Sequence, residues 1–213
     1  MATDDEQPFS DLEDALKQSA AALRGAEVPF LLGGSLASWA RGGPETRHDL
    51  DLVIKPEDVE RALEALRRAG FKPEDPPEEW LVKAWSGNTL VDLIHHPKGI
   101  PVDDALIERG QVMSVLGMEM RVMALEDVLV TKLMALSEHS LRYESLLAIS
   151  RALRERVDWE DVRARTSDST FARAFFVMLE GLGILSEAKP TTGSHETRVR
   201  VLTPRGSAAE NVG

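Results

Sequence analysis

Residues 30–54 read FLLGGSLASWARGGPETRHDLDLVI and contain the pattern that decides the fold. A short apolar run ends at Gly33 and Gly34, which predicts a buried strand followed by a turn. Residues 35–41 favour a helix that a glycine pair then stops. Residues 48–54 predict a second strand. This order of strand, turn, helix and strand is typical of a domain in which strands and helices are mixed.

Two aspartates, Asp49 and Asp51, lie in the second of these strands. Residues two apart in a strand point to the same face, so the two carboxylates project side by side, while Leu50, Leu52 and Ile54 line the opposite face. Like charges this close repel each other, and something is expected to compensate them. Mg²⁺ is the natural candidate because it takes carboxylate oxygens together with substrate phosphates. The alternative is a strand end with two solvated aspartates.

A third carboxylate, Asp92, interrupts the otherwise apolar residues 90–94. A carboxylate in such a strand is costly unless it is paired, hydrogen-bonded or bound to a metal. If this strand neighbours the one that carries Asp49 and Asp51, the three carboxylates form a two-metal site, in which one metal activates a hydroxyl and the other holds phosphates. The alternative is a buried structural salt bridge at Asp92.

The turn between the first strand and its helix contains Gly33, Gly34 and Ser35. Glycines let the backbone approach a phosphate closely, and the start of a helix offers free N–H groups at the positive end of its dipole. The Ser35 hydroxyl can cap the helix or hydrogen-bond to a phosphate. Many strand-to-helix turns contain these residue types, so the turn alone indicates phosphate binding only weakly.

The three features together resemble the signature of the DNA polymerase β-like nucleotidyltransferase superfamily. The resemblance rests on a Gly-Gly-Ser turn, a gap of thirteen residues, an Asp-Leu-Asp pair and a lone aspartate in a later strand. The chain looks most like the small prokaryotic members, which include abortive-infection toxin nucleotidyltransferases, minimal nucleotidyltransferases and some aminoglycoside nucleotidyltransferases. The resemblance spans roughly residues 28–96 well and the later helices loosely.

The resemblance implies an Mg²⁺-dependent enzyme that moves an NMP group, AMP in the first instance, from an NTP to a hydroxyl acceptor. By resemblance, Asp49, Asp51 and Asp92 bind the metal, with two ions possible, and are catalytic. The triphosphate would bind the turn formed by Gly33, Gly34 and Ser35. Residues 43–45 contain no arginine, where many relatives carry one, so no arginine role is transferred. The alternative is a catalytically silent NTP-binding module that acts as a regulator or a toxin–antitoxin partner.

Lys132 lies on a helical stripe of apolar residues. A lysine on a stripe that faces the core should either extend its amine to solvent or meet an anion. Small relatives often place a lysine on a helix after the catalytic sheet, so the resemblance implies that Lys132 binds the nucleotide phosphates. The alternative is a lysine that reaches solvent at the end of a cleft. The stripe comprises Leu125, Val128, Leu129, Leu133 and Leu136.

Several other residues are weaker candidates for a site. His139 lies close to the same helix face and is expected to be structural more often than a substrate ligand. His95 and His96 are adjacent at the end of a predicted strand, where neighbouring side chains point in opposite directions, so they are not expected to share a metal. Trp80 and Trp85 are expected to be packing residues, and either one could line a cleft.

The remaining chain predicts two hairpins and then helices. Tight turns at Gly87-Asn88 and Gly117 predict antiparallel strand pairs, and residues 73–77 are expected to form a loop. From residue 125 onward the apolar spacing is helical. The predicted strands are 80–85, 89–95, 111–116 and 119–123, and the later helices are 125–138, 141–156, 159–165 and 169–182.

This order predicts an α+β fold, in which a small mixed nucleotidyltransferase-type sheet flanked by helices is followed by a C-terminal helical segment. We expect residues 1–123 to form the catalytic domain and residues 124–186 to form the helical segment that packs on it. Residues 187–213 are rich in proline, threonine, glycine and serine and are expected to be a disordered tail.

The composition argues against several classes of protein. The chain has 213 residues, a formal net charge of −11 and no cysteine, so we expect no disulfide framework or thiolate site and a cytoplasmic location. No apolar run approaches the ~20 residues of a membrane helix. Membrane and duplex DNA, which needs a basic face, are therefore not expected partners. The acidic balance suits an aminoglycoside-like cation as acceptor, and a protein or a transfer RNA end is also compatible.

Overall fold

The computed structural model describes residues 9–46, 50–74 and 77–186. Within these ranges the chain forms seven strands and eight α-helices. The strands are β1 (Phe30–Leu32), β2 (Leu50–Ile54), β3 (Lys72–Glu74), β4 (Leu81–Ser86), β5 (Thr89–Ile94), β6 (Gln111–Val115) and β7 (Met118–Val122). The helices are α1 (Phe9–Gly25), α2 (Gly34–Ala40), α3 (Val59–Arg68), α4 (Asp104–Arg109), α5 (Leu125–Met134), α6 (Tyr143–Leu153), α7 (Trp159–Arg165) and α8 (Thr170–Gly181), with 3₁₀ turns at Pro56–Asp58 and Arg154–Arg156.

The seven described strands form one mixed sheet in the order β3-β4-β5-β2-β1-β7-β6. β2 runs parallel to β5 and β1 runs parallel to β7, while the other neighbouring pairs are antiparallel. Both predicted hairpins are present, as β4 with β5 and β6 with β7. The predicted α+β fold is therefore confirmed.

The side chains of β2 alternate between the two faces of the sheet, as its sequence predicts. Leu50 and Leu52 are fully buried, together with Val91 and Leu93 of the neighbouring β5. Asp51 points to the opposite face, where it shares a pocket with residues of α5. Burial of one apolar face thus fixes the direction in which the carboxylate projects.

Two elements differ from the sequence prediction. Residues 73–77 are expected as a loop, but β3 overlaps them and pairs with β4 at the edge of the sheet. The sequence does not predict this strand because it contains Pro73, and a sheet tolerates proline almost only on an edge strand. The short helix α4 is also absent from the prediction. The Asp103 carboxylate caps it by accepting a hydrogen bond from the Leu106 N–H at 2.8 Å.

The first two helices after the sheet are shorter than the predicted ranges 125–138 and 141–156. α5 ends four residues early and α6 begins two residues late. Between them Ser137 and Ser140 exchange two backbone hydrogen bonds of 3.3 and 3.0 Å. These bonds close a tight turn, which interrupts the helical pattern that the apolar spacing predicts.

Two predictions concern residues outside the described ranges. The expected disordered tail, residues 187–213, and Asp49 in the second strand both lie there. The division of the chain after residue 123, into a catalytic domain and a helical segment, stays a prediction. Among the described helices, none has the length and apolar character needed to cross a membrane.

A buried carboxylate connects α4, α5 and α7. Asp127 lies in the first turn of α5, and its side chain is only 2 % exposed. Its Oδ1 accepts a hydrogen bond from Arg165 Nη2 at 2.6 Å. Arg109 approaches the same carboxylate with two nitrogens, each 3.4 Å from one oxygen. One aspartate therefore holds two arginines from different parts of the chain.

We expect the Asp127→Ala variant to lose about 2 kcal/mol of unfolding free energy, because both arginines lose their shared partner. The loss stays below the ~3–5 kcal/mol of a fully buried pair, since Arg109 and Arg165 are 49 % and 29 % exposed. Urea unfolding followed by circular dichroism measures it. The matched control is Glu64→Ala, which breaks two exposed arginine pairs and should cost clearly less, because exposed ion pairs contribute little to stability. Equal losses in the two variants would contradict this reading.

Candidate active site

Two of the three predicted carboxylates lie on neighbouring strands. β2 and β5 pair in parallel with Asp51 directly opposite Asp92, so both side chains leave the same face of the sheet. Both residues are half-buried. Asp49 lies outside the described residues, and within the described ranges no three histidine, aspartate or glutamate side chains form a metal cluster. The structure brings Asp51 and Asp92 together, and the metal-binding role of the three aspartates stays a prediction.

Gly34 lies directly against the Asp51 carboxylate. Its φ of +56° is in the left-handed region, and a Cβ added to it would stand 1.6 Å from Asp51 Oδ2. The neighbouring Gly33 donates its backbone N–H to the Asp51 carbonyl at 2.9 Å. Only glycine satisfies both the backbone angle and the close approach at position 34. The turn that the sequence predicts to bind phosphate is thus packed against the carboxylate.

Lys132 and Ser35 meet although they lie 97 residues apart in the chain. Lys132 Nζ donates a hydrogen bond to Ser35 Oγ at 3.1 Å, so the lysine on the apolar stripe of α5 reaches the turn after β1. Burial lowers the pKa of Lys132, the nearby Asp51 carboxylate raises it, and the positive charge of Arg142 lowers it again. The Lys132 ammonium is partly desolvated, so a further anion beside it would stabilise its charged form.

Part of this group lines one pocket of about 220 Å³, to which Ser35 and Asp92 do not contribute. Gly34, Asp51 and Lys132 form its polar part, and Lys98 is a second lysine in its wall. The wall is otherwise mostly apolar and includes Val53, Trp80, Ile94, Pro97, Met123 and Ala135. Such a pocket suits a ligand that carries negative charge at one end and a less polar group at the other.

A family model described as uncharacterised nucleotidyltransferase matches residues 11–182, which is most of the chain. The chain belongs to this family. The match confirms the expectation, drawn from the Gly-Gly-Ser turn and the aspartates, that the chain belongs to a nucleotidyltransferase family. The protein is therefore a nucleotidyltransferase, an enzyme that transfers an NMP group.

Solved structures that have a similar fold share little sequence identity with this nucleotidyltransferase. The solution structure of the antibiotic-resistance factor ANT(2'')-Ia is 14% identical, has a TM-score of 0.60, and the match covers 83% of this chain and 98% of that one. The crystal structure of ANT(2'')-Ia with adenylyl-2''-tobramycin is 16% identical, with a TM-score of 0.56 and coverage of 78% and 98%. These likenesses show the fold alone. No curated protein matches the chain by sequence.

Trp80 is the tryptophan that the nucleotidyltransferase places in the pocket wall. Its side chain is 40% exposed. Its backbone carbonyl accepts hydrogen bonds from the N–H groups of His95 and His96, each at 3.0 Å, which holds the residue before β4 against the residues after β5. Trp85 instead donates its Nε1–H to Glu74. Trp80 and Trp85 are both candidates for lining a cleft, and Trp80 is the one that lies in the pocket wall.

His95, His96 and His139, which are the histidines within the described ranges, do not line the pocket. The expectation that His95 and His96 point in opposite directions is wrong, because β5 ends at Ile94 and the two residues lie beyond the strand. Their Nδ1 atoms are 2.6 Å apart, a distance at which one ring donates to the other. Burial lowers the pKa of His95, and His96 lowers it further. His139 is 88% exposed and contacts Glu138 at 3.2 Å.

Lys83 is a neighbour of the site that the sequence analysis missed. It stands directly opposite Asp92 in the β4–β5 hairpin, and its Nζ lies 3.9 Å from Glu78. Asp51, Asp92 and Lys83 thus form a row across three strands on one face of the sheet. The two-residue turn of the hairpin fixes this register. Counting back from the turn would have identified Lys83 from the sequence alone.

Proposed function

We propose that this nucleotidyltransferase binds the triphosphate of an NTP at the polar part of the pocket and transfers the NMP group, AMP in the first instance, to an acceptor hydroxyl. One observation carries the proposal: Gly34, Ser35 and Lys132 converge at one point of the site. Asp51 lies beside them, and Asp92 stands in register with it on the next strand. This arrangement supports a phosphate-binding group and a carboxylate pair on one face of the sheet.

The phosphate-binding group consists of backbone and side-chain donors on two elements. Gly34 has no side chain to keep a phosphate away from the backbone. Ser35 and Lys132 already share a hydrogen bond, so a phosphate oxygen at this position would accept from both of them. Because burial lowers the pKa of Lys132, a bound phosphate would favour its charged form. These groups orient the triphosphate and leave its α-phosphate facing the carboxylates.

The residues present fit a divalent metal. Asp51 and Asp92 supply hard carboxylate oxygens from paired positions of neighbouring strands, which is the donor chemistry that Mg²⁺ prefers. Asp49, two residues before Asp51 in the sequence, is the third proposed ligand. When bound, Mg²⁺ would neutralise phosphate charge and make the acceptor hydroxyl more acidic.

The proposed reaction follows from the positions of the phosphate-binding group and the two carboxylates on one face of the sheet. The acceptor oxygen forms a bond to the α-phosphorus, and the bond from that phosphorus to the bridging oxygen of the leaving pyrophosphate breaks. Asp92 takes the proton of the acceptor hydroxyl, as a positioned carboxylate can do. Lys132 and Ser35 hold the departing phosphates. Positioning of the two reactants supplies a large part of the rate.

Several acceptors fit the chain. The net charge of −11 favours a cationic small molecule. One structure of similar fold holds adenylyl-2''-tobramycin, so an aminoglycoside is the first acceptor to test. A protein and a transfer RNA end are the second and third.

The proposal is tested with purified protein, Mg²⁺ and each of the four NTPs labelled on the α-phosphate. Separate reactions contain an aminoglycoside pool, lysate protein or bulk transfer RNA, and the Asp51→Asn variant is the control. We expect label to enter one acceptor class and to be lost in the variant. Absence of transfer, with NTP binding still detected by calorimetry and weakened in the variant, would favour the catalytically silent binding module. Absence of both transfer and binding would contradict the proposal.

A further inference from the structure

Trp80 is an exposed aromatic residue in the pocket that contains part of the proposed phosphate site. It is 40% exposed and lines the pocket together with Gly34, Asp51 and Lys132. An indole in this position offers a flat apolar face to the ligand that the phosphate site binds. The other large apolar residues that stand exposed within the described ranges do not line the pocket, namely Val112, Leu141, Val177 and Leu182.

The backbone at Trp80 is held by the hairpin that follows it. Its carbonyl oxygen accepts hydrogen bonds from the N–H groups of His95 and His96, and the next residue, Leu81, pairs with Ile94 at the end of β5. Ile94 lines the same pocket. The tryptophan is therefore anchored beside the pocket wall before any ligand binds, which lowers the entropy cost of using it as a contact.

The two ends of the pocket lie on opposite sides of the pair formed by β2 and β5. Gly34 follows β1, Trp80 precedes β4, and the sheet order places β2 and β5 between them. Three strand spacings amount to about 14 Å. A phosphate group alone cannot span this distance, whereas a nucleotide bound by its phosphates near Gly34 can extend its base toward Trp80.

The pocket suits the NTP better than the acceptor. Asp92, the base assigned to the acceptor hydroxyl, does not line the pocket, so the acceptor approaches from outside it. The volume of about 220 Å³ is below the ~300–1,000 Å³ of pockets that enclose a drug-sized ligand. The pocket therefore holds part of one reactant, and the part that is attached to the phosphates is the nucleoside.

We propose that the apolar part of the pocket is the nucleoside subsite and that Trp80 binds the nucleobase by stacking on it. The inference rests on the proposed function and adds to it how the base of the NTP is bound. Outside the phosphate end, the other polar side chains of the pocket are those of Thr131 and Lys98. The Thr131 hydroxyl already donates to the Val128 carbonyl at 3.0 Å, and a lysine only donates. The face of the base is therefore the main contact, and every base has such a face.

The test measures the binding of ATP, GTP and inorganic tripolyphosphate by calorimetry, with Mg²⁺, in the full chain and its variants. We expect Trp80→Leu to weaken ATP and GTP about tenfold, since one aromatic stacking partner is lost, and to change tripolyphosphate binding less than about twofold. Trp80→Phe keeps an aromatic ring and should recover most of the affinity. The matched control is Trp85→Leu, which removes a tryptophan of β4 that does not line the pocket and should leave all three affinities unchanged.

Stacking also predicts the base preference of the unmodified chain. ATP and GTP should bind within about threefold of each other, because both purines present a similar face to the indole. A difference above about tenfold would mean that the site reads the edge of the base, and it would overturn stacking on Trp80 as the main contact.

The outcomes separate this inference from the proposed function. If Lys132→Met weakens ATP and tripolyphosphate while Trp80→Leu changes neither, Trp80 does not bind the base and the proposed phosphate site stands. Equal weakening of ATP and tripolyphosphate by Trp80→Leu would also overturn the inference, because tripolyphosphate has no base to stack. An unchanged ATP affinity with a raised KM for the acceptor would assign Trp80 to the acceptor instead. If the unmodified chain binds none of the three probes, the proposed function and the inference fail together.

Discussion

Replacing Asp51 by asparagine is expected to lower the rate of NMP transfer by about 10²–10³-fold, the usual cost of removing one group that stabilises charge in a transition state. Asparagine keeps the shape of the side chain and removes its charge, so the close contact with Gly34 is preserved. The proposed metal would lose one of its anionic oxygens. The measurement is the initial rate of α-phosphate label transfer at saturating NTP.

The control for this variant is Asp168→Asn, which removes one carboxylate charge at an exposed position. It should keep the full rate. Both variants should also keep the unfolding midpoint of the unmodified chain within the error of a urea titration. If Asp51→Asn retains more than about a tenth of the rate, the proposal that Asp51 neutralises charge during transfer is wrong.

The partner variant Asp92→Asn distinguishes two roles for the carboxylate pair. If Asp92 acts as the base that accepts the hydroxyl proton, its loss lowers turnover by about 10²–10⁴-fold, the range for general bases. Binding of the NTP should then weaken less than in Asp51→Asn, because Asp51 lies against the phosphate-binding turn. Equal effects on binding and turnover in both variants would indicate that the two aspartates act only as metal ligands.

The positions of Asp51 and Asp92 follow from local patterns in the sequence. Alternation fixes which face each aspartate takes, since Leu50, Leu52 and Leu93 must be buried. That the two strands are neighbours is implied by the family resemblance, because no local rule joins β2 to β5 across an intervening helix and two strands. The sheet confirms both expectations.

The contact between Lys132 and Ser35 could be predicted only in part. The lysine stands out as a polar residue on an apolar helical stripe, but its partner lies 97 residues away. Which residue it meets depends on how α5 packs against the turn after β1, and helical periodicity gives no information on that packing.

Replacing Gly34 by alanine is expected to reduce NMP transfer at least as strongly as the loss of Asp51. The added Cβ would stand 1.6 Å from Asp51 Oδ2 and 2.9 Å from its Cβ, so either the carboxylate or the turn must move. The φ of +56° adds a backbone cost of about 1–2 kcal/mol. Misplacing both groups by about an ångström lowers the rate by about 10²-fold or more. Label transfer and urea unfolding measure the two effects separately.

The Gly183→Ala variant separates the effect of backbone strain from that of the steric clash between a Cβ at position 34 and Asp51. Gly183 has a φ of +65°, close to that of Gly34, but a Cβ there meets nothing within 4 Å. This variant should lose about 1–2 kcal/mol of unfolding free energy and keep its transfer rate, whereas Gly34→Ala should lose both. If the two variants lose stability equally and both keep the rate, the contact between Gly34 and Asp51 has no part in catalysis. A loss of rate in Gly34→Ala alone means that the glycine is required because a carboxylate occupies the space of its side chain.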